Sequence, residues 1–472
     1  MRDDNQPLLL KNAEYYTPQG FKLGHLLLDN GRIAEIWPNL PSDEEIAARY
    51  PNFAVYDVAD KLVLPGAVDT HVHVREPGSP QKEDFISGTA AALAGGVTTI
   101  CQMPNVLPLP HNAENLAVSR QAAEKALCNV CIYASAGADN QADFAELAGQ
   151  GVCGLKTFLQ PSYAKEPQYL TINNAASAAD DELTSLLAAA VPTGLRCFFH
   201  CEDYGLIAEL EAEAHSKGEE AYDFHYKTRR DEVEINAVKR VLTAAKKTGA
   251  KVGIVHVSTV GAAKLIAAAK AEGVDVTFEV CFHHLFFDDS WLDKFGPYAK
   301  CNPPLRSADN VQGLWQYIND GTVDYLGSDH APHLLSEKQR GEQQIWLAPS
   351  GIGHIELMLP LLLTAVKQGK LTVERLTELL CVNGYKMLGL YPQKGCIAVG
   401  ADADLTVVDL RKDWQFDSKL MQTKARESCR HLDGLPLNGA VEAAVVRGRL
   451  LYAAGKVDYQ SAGWGGMINC RR

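Results

Sequence analysis

Residues 62–73 read LVLPGAVDTHVH, an apolar run that ends in an aspartate and two histidines. The same shape recurs in GVTTICQMPN (96–105), CNVCIYAS (128–135), GVCGLKTFL (151–159), LRCFFHCE (195–202), KVGIVHVST (251–259), VTFEVCFHHL (276–285) and DYLGSDHAP (324–332). Ala/Leu-rich helical stretches separate these segments, which is the pattern of a β/α protein with a parallel sheet. Eight such segments are the number that closes a TIM-like (β/α)8 barrel. Most of them run into His, Asp, Lys or Asn at their C-terminal ends, where such barrels carry their active sites. A doubly wound open sheet also alternates, but it has no reason to gather histidines at so many strand ends.

Outside this core the pattern changes. Residues 7–64 contain LLLDNGRIAEIWP, a hairpin-like run around a DNG turn, and residues 395–455 contain GCIAVGADADLTVVDL and GAVEAAVVRGRLLYAAG. Both ends read as β with Gly turns. The economical arrangement is a small β-sandwich built from residues 1–64 and 395–472, with the barrel, 65–394, inserted between them.

The 472 residues are 46% hydrophobic and 22% charged, an ordinary globular composition. A formal net charge of -13 argues against nucleic acid or an anionic membrane as the partner. The start carries Asp3 and Asp4 and no long apolar core, and no stretch reaches the ~18 uninterrupted apolar residues of a span. A soluble, cytoplasmic protein is expected. The twelve cysteines are scattered. Cys128 and Cys131 form a single CxxC with no second one to complete a metal site, and they read as buried strand cysteines.

Alternate side chains on a strand share a face, so Asp69, His71, His73 and Arg75 project together if the strand persists that far. His200, His256 and Asp329 end three other segments, and a barrel brings those ends together. Four imidazoles and a carboxylate at one mouth suit a borderline metal such as Zn2+, with room for a bound water. Lys156 is the odd member, because an ammonium is repelled by a cationic site. On its residue type alone it is equally a solvated or ion-paired lysine.

DTHVHVREPG (69–78), MPN (103–105), GLK (154–156), HCE (200–202), HVST (256–259), NPPLR (302–306) and GSDHAPH (327–333) together resemble the dihydroorotases. These enzymes belong to the cyclic amidohydrolase branch of the amidohydrolase superfamily. The resemblance implies two divalent metal ions, Zn2+ the ion expected. His71 and His73 would hold one, His200 and His256 the other, with carboxylated Lys156 bridging them. Asp329 would complete the first site and carry the proton. Some dihydroorotases have aspartate at the bridging position, and the lysine here favours the carbamate. Ser328 stands where many relatives have Thr, and Cys201 lies inside HCE, but neither change removes a ligand.

The ligands give the superfamily, and the substrate falls to other positions. By the same resemblance Arg75, Asn105 and His333 hold the ring carboxylate and Asn302 contacts the pyrimidine ring. The alternatives are a rim salt bridge for Arg75 and a cap on a proline turn for Asn302. Allantoinases typically lack this arginine, and hydantoinases lack the REPG context. His283, His284 and His330 are expected to pack around or orient the ligands. The implied reaction is reversible closure of N-carbamoyl-L-aspartate to L-dihydroorotate, a step of pyrimidine synthesis. A small molecule is then the partner, with homo-oligomerisation and association with a transcarbamoylase left open. Residues 160–174, QPSYAKEPQYLTINN, directly after Lys156, are expected to form a lid. The competing readings are a hydantoinase, dihydropyrimidinase or allantoinase, and a non-catalytic scaffold that kept the fold.

Overall fold

The computed structural model describes residues 6–159 and 178–470, so the expected lid at 160–174 lies outside the described residues. The eight apolar segments form the barrel strands Ala67–Val72, Val97–Gln102, Asn129–Ile132 continuing as Ala134–Ser135, Leu155–Phe158, Cys197–His200, Val252–Ile254, Val276–Cys281 and Tyr325–Gly327. Neighbours pair in parallel. A parallel bridge between Val72 and His330 brings the eighth strand back to the first. The third strand is split because it changes neighbours. Before Tyr133 it pairs with the second strand, and after it with the fourth.

These strands are buried along nearly their whole length, only Phe158 and Thr277 being partly exposed, as expected when helices cover one face and the barrel interior the other. The interior is packed solid around Val68, Cys101, Tyr133, Phe198 and Tyr325. Phe198 fits only because its neighbour across the strand pair is glycine, since a Cβ on Gly253 would sit 2.4 Å from the Phe198 ring. The longest helix, Asp231–Thr248, shows how the outer ring is specified. It opens with Asp231, Glu232 and Glu234, closes with Lys246 and Lys247, and ends at Gly249 in the left-handed region, matching charge to the helix dipole at both ends. Among the described residues no helix is long and apolar enough to cross a membrane.

The two termini combine in one nine-stranded sheet that makes the sandwich. Strands Leu8–Thr17, Gly20–Asp29, Arg32–Trp37, Ala54–Asp57 and Leu62–Pro65 come from the N-terminus, and Leu405–Gln415, Pro436–Val446, Arg449–Ala453 and Lys456–Val457 from the C-terminus. The seam is the antiparallel pair of Leu62–Pro65 with Leu405–Val408. The DNG turn joins two strands with Asn30 at φ 49° and Gly31 at φ 76°, the left-handed pair that a tight hairpin requires. Leu10, Leu26, Ile33, Val63, Leu405 and Val445 form the sandwich core. Past the last strand the chain leaves the sheet and returns to the barrel. Met467 bridges Val130, and the Cys470 amide donates to the Gly151 carbonyl at 3.0 Å.

Candidate metal centre

The first barrel strand ends in His71 and His73, both buried, and the loop after the eighth strand brings Asp329 between them. Asp329 Oδ1 lies 3.3 Å from His71 Nε2 and 3.0 Å from His73 Nε2. Each ring is held by its other nitrogen. His71 Nδ1 pairs with Glu279 Oε1 at 2.8 Å, and His73 Nδ1 with Asn105 Oδ1 at 2.5 Å. Both imidazoles thus present Nε2 toward one point, the arrangement in which a partner behind the ring fixes tautomer and direction. Burial, partly offset by Asp329, lowers His73 to about 4, which keeps it in the neutral form that can ligate a metal.

The second pair is assembled by the fifth and sixth strands. His200 Nδ1 and His256 Nε2 face each other at 2.8 Å, and the His71 and His256 rings are 5.3 Å apart, so all four imidazoles form one continuous group. His200 Nε2 rests on Glu202 at 2.8 Å, and Arg229 holds that carboxylate at 3.1 Å. Burial acts to raise Glu202, but Arg229 and His200 outweigh it and bring it down to about 2. His256 Nδ1 is buried without a protein partner. His256 and Asp329 both have positive φ, 42° and 45°, a strained backbone that surrounding structure must hold in place.

Lys156 completes the group from the fourth strand. Its side chain is fully buried, its Nζ has no hydrogen-bond partner among the described residues, and it lies 5.1 Å over the Phe158 ring. Burial lowers it to about 8, against the pull of Glu279 and Asp329, so its neutral amine is accessible near neutral pH. An unpaired buried amine among four imidazoles is costly unless another group joins it. The donor set, with four converging imidazoles, Asp329 and a Lys156 Nζ that has no partner among the described residues, fits divalent cations.

Arg75 stands two residues past His73. Its Nε donates to the Pro332 carbonyl at 3.2 Å, and its Nη2 lies 3.2 Å from His333 Nε2. The same His333 nitrogen is 3.1 Å from the Ser350 carbonyl, so it either donates to Ser350 or accepts from Arg75, never both. Asn302 follows the seventh strand region in a cis Asn-Pro unit, and its Oδ1 is buried with no protein partner. His330 turns away from the group, with Nε2 3.4 Å from Glu83 and Nδ1 accepting from the Ile355 amide at 3.2 Å.

Three carboxylates escape sequence reasoning. Glu279 accepts from the Thr70 hydroxyl at 2.6 Å and the His256 amide at 3.2 Å besides holding His71, so one side chain ties both metal pairs together. Gly327 makes room for it, since a Cβ there would sit 2.8 Å from the Glu279 carboxyl carbon. Glu202 braces His200. Glu234 accepts from the amides of Ser258 and Thr259 at 2.9 and 2.8 Å and so secures the turn after His256. The signal for Glu279 was a lone acid inside the apolar run VTFEVCF.

A family model described as "Amidohydrolase family" matches residues 62–451. An allantoinase of Streptomyces avermitilis is 33% identical over 451 residues, covering 95% of this chain and 96% of that one. A dihydroorotase of Elusimicrobium minutum is also 33% identical, over 465 residues, covering 96% and 99%. The solved structure of an L-hydantoinase from Arthrobacter aurescens superposes with a TM-score of 0.89 at 27% identity, over 98% of this chain and 100% of that one.

Proposed function

The chain belongs to the amidohydrolase family, and from that premise we propose that it is a metal-dependent hydrolase of cyclic amides, specifically a dihydroorotase. The activity is the reversible interconversion of L-dihydroorotate and N-carbamoyl-L-aspartate. Relatives named allantoinase and dihydroorotase are equally similar, so overall identity does not choose between them. The observation that carries the choice is Arg75, anchored beside His333 two residues beyond a metal-ligand position. A guanidinium fork matches a carboxylate, which dihydroorotate has and the uncharged hydantoin and allantoin rings lack.

In this reading His71, His73 and Asp329 would hold one divalent ion, His200 and His256 a second, Zn2+ the ion proposed, and Lys156 as its carbamate would be a further ligand. The ions, when bound, supply Lewis-acid polarisation of the ring carbonyl and acidify water. Asp329 moves the proton. In hydrolysis it receives the proton lost by water and returns it to the ring nitrogen as the amide bond breaks, and in ring closure the transfer runs backwards. Burial raises the Asp329 carboxyl, but His71, His73 and His256 more than offset it and keep it ionised, ready to accept. Arg75 and His333 hold the ring carboxylate. Asn105 commits its oxygen to His73, which leaves its amide hydrogens for the same carboxylate. Asn302 Oδ1 is available to accept from the ring.

The test is Arg75→Gln, which keeps some hydrogen bonding but removes the charge. A charge-assisted bond contributes roughly 1.5–3 kcal/mol, so kcat/KM for dihydroorotate should fall about 10- to 100-fold with metal content unchanged. Hydrolysis of uncharged dihydrouracil should not fall in parallel. Equal loss of both activities, or turnover of hydantoin or allantoin but not dihydroorotate by the wild-type protein, overturns the assignment.

A further inference from the structure

A second group of ligand-type side chains lies beside the centre and takes no part in it. His283 and His284 begin the short helix His283–Phe286 after the seventh barrel strand, and Cys301 precedes Asn302. One ligand atom from each of the three lies within 4.8 Å of the others, and all three residues are buried. Their hydrogen bonding is incomplete. His284 Nε2 is 3.3 Å from the Pro303 carbonyl, so it carries the proton, and Nδ1, which then holds the lone pair, has no partner. His283 has the Ser328 backbone beside its ring, and neither of its nitrogens is hydrogen-bonded in good geometry among the described residues. Nor is either nitrogen of His354, whose ring stacks on His283 with centroids 5.1 Å apart and which is 1% exposed. The Cys301 thiol reaches only the Pro303 carbonyl, at 3.3 Å.

Buried polar atoms in native proteins are nearly always satisfied, so the open nitrogen of His284, the incompletely bonded His283 ring and the Cys301 thiol in one pocket point to a shared partner. We propose that His283, His284 and Cys301 bind one further divalent, thiophilic cation of the Zn2+ class, with the fourth position left to water. Two imidazoles and a thiolate, with water in the fourth position, form a tetrahedral zinc donor set, and a cluster without carboxylate disfavours Mg2+ and Ca2+. The His284 contact with Pro303 is the bond that fixes a ligating imidazole. On binding, the Cys301 proton is released to solvent as the sulfur–metal bond forms. The ion would pin the turn after the seventh strand to the segment carrying Asn302, and its role is structural.

The experiment uses cobalt as the probe, because no cysteine lies among the residues assigned to the catalytic pair. Full-length protein stripped of metal by chelator is titrated with Co2+ and followed by absorbance and metal analysis. The expected result is three equivalents bound and a near-ultraviolet thiolate-to-cobalt charge-transfer band whose final amplitude corresponds to one cobalt–thiolate site. Cys301→Ser should abolish the band and bind one equivalent less, and His283→Phe should weaken it. Cobalt binding by the wild-type protein without the band overturns the proposal and leaves buried water as the common partner, and this outcome needs no variant to fold. A band that persists in Cys301→Ser also overturns it, by assigning the thiolate elsewhere, for example to the interior group Cys101, Cys131, Cys153 and Cys470.

Discussion

Lys156 and Asn105 show how single side chains in this protein take their meaning from what surrounds them. Lys156 sits fully buried with no partner for its amine among the described residues, which argues for a modified lysine. Lys156→Ala should therefore lose both bound metal and turnover, and a short carboxylic acid that can enter the gap should restore part of each. Retention of full metal content by the alanine variant, measured by elemental analysis, sinks the carbamate. Asn105 acts from one step further back, through its bond to His73 Nδ1. Removing a partner behind a ligating histidine typically costs about 10- to 100-fold in metal affinity or activity, so Asn105→Ala should show a loss of that size in a chelator competition. A loss in KM alone, with affinity for metal intact, would restrict Asn105 to the substrate.

Secondary elements supply the restraint that strained ligands need. His256 holds its positive φ at the end of the sixth strand, and the two amides that follow it are clasped by Glu234 from the helix Asp231–Thr248. Arg306 reinforces the clasp through the Ser258 hydroxyl at 2.9 Å. Glu234→Ala leaves those amides without an acceptor, at a cost of about 1–3 kcal/mol for each buried group. The thermal midpoint should drop by several degrees, and metal should be lost first from the His200/His256 pair. Glu234→Gln, which keeps acceptor oxygen, should recover part of both. If metal affinity is unmoved while the midpoint falls, the clasp serves the fold alone.

At the scale of the molecule, stability should change with pH through Lys338. This residue is 1% exposed, and its Nζ donates to the carbonyls of Lys300 and Pro349, both at 3.0 Å. Burial, with the charge of Lys300 second, lowers it to about 7. Above that pH the native state releases its proton while the unfolded chain keeps it up to the ordinary lysine range, so the unfolded state binds more protons in that window. Stability from this group therefore rises with pH across the window, and the penalty is fully present below it. Urea midpoints taken between about pH 7 and about pH 10 should climb less steeply in Lys338→Met than in the wild-type protein, and parallel curves would count against the argument.

The barrel was legible because each strand is an apolar run closed by a chemically distinct end, and His71, His73, His200, His256 and Asp329 mark those ends directly. What stayed hidden was pairing across the fold. Glu279 and His71 lie 208 residues apart, and nothing local in either segment announces the other. The split at Tyr133 was hidden for the same reason, since a change of strand neighbour leaves the apolar pattern intact. The return of residues 467–470 to the barrel has no periodic signal at all.

The seam between Leu62–Pro65 and Leu405–Val408 has a consequence during translation. The first half of the sandwich leaves the ribosome roughly 340 residues ahead of its partner, a wait on the order of 20–70 s at about 5–20 residues per second. Throughout that interval the nascent chain carries an unpaired strand edge, the kind of surface that recruits a neighbouring nascent chain. Late closure of the terminal sheet is therefore the step most exposed to misassociation in the cell.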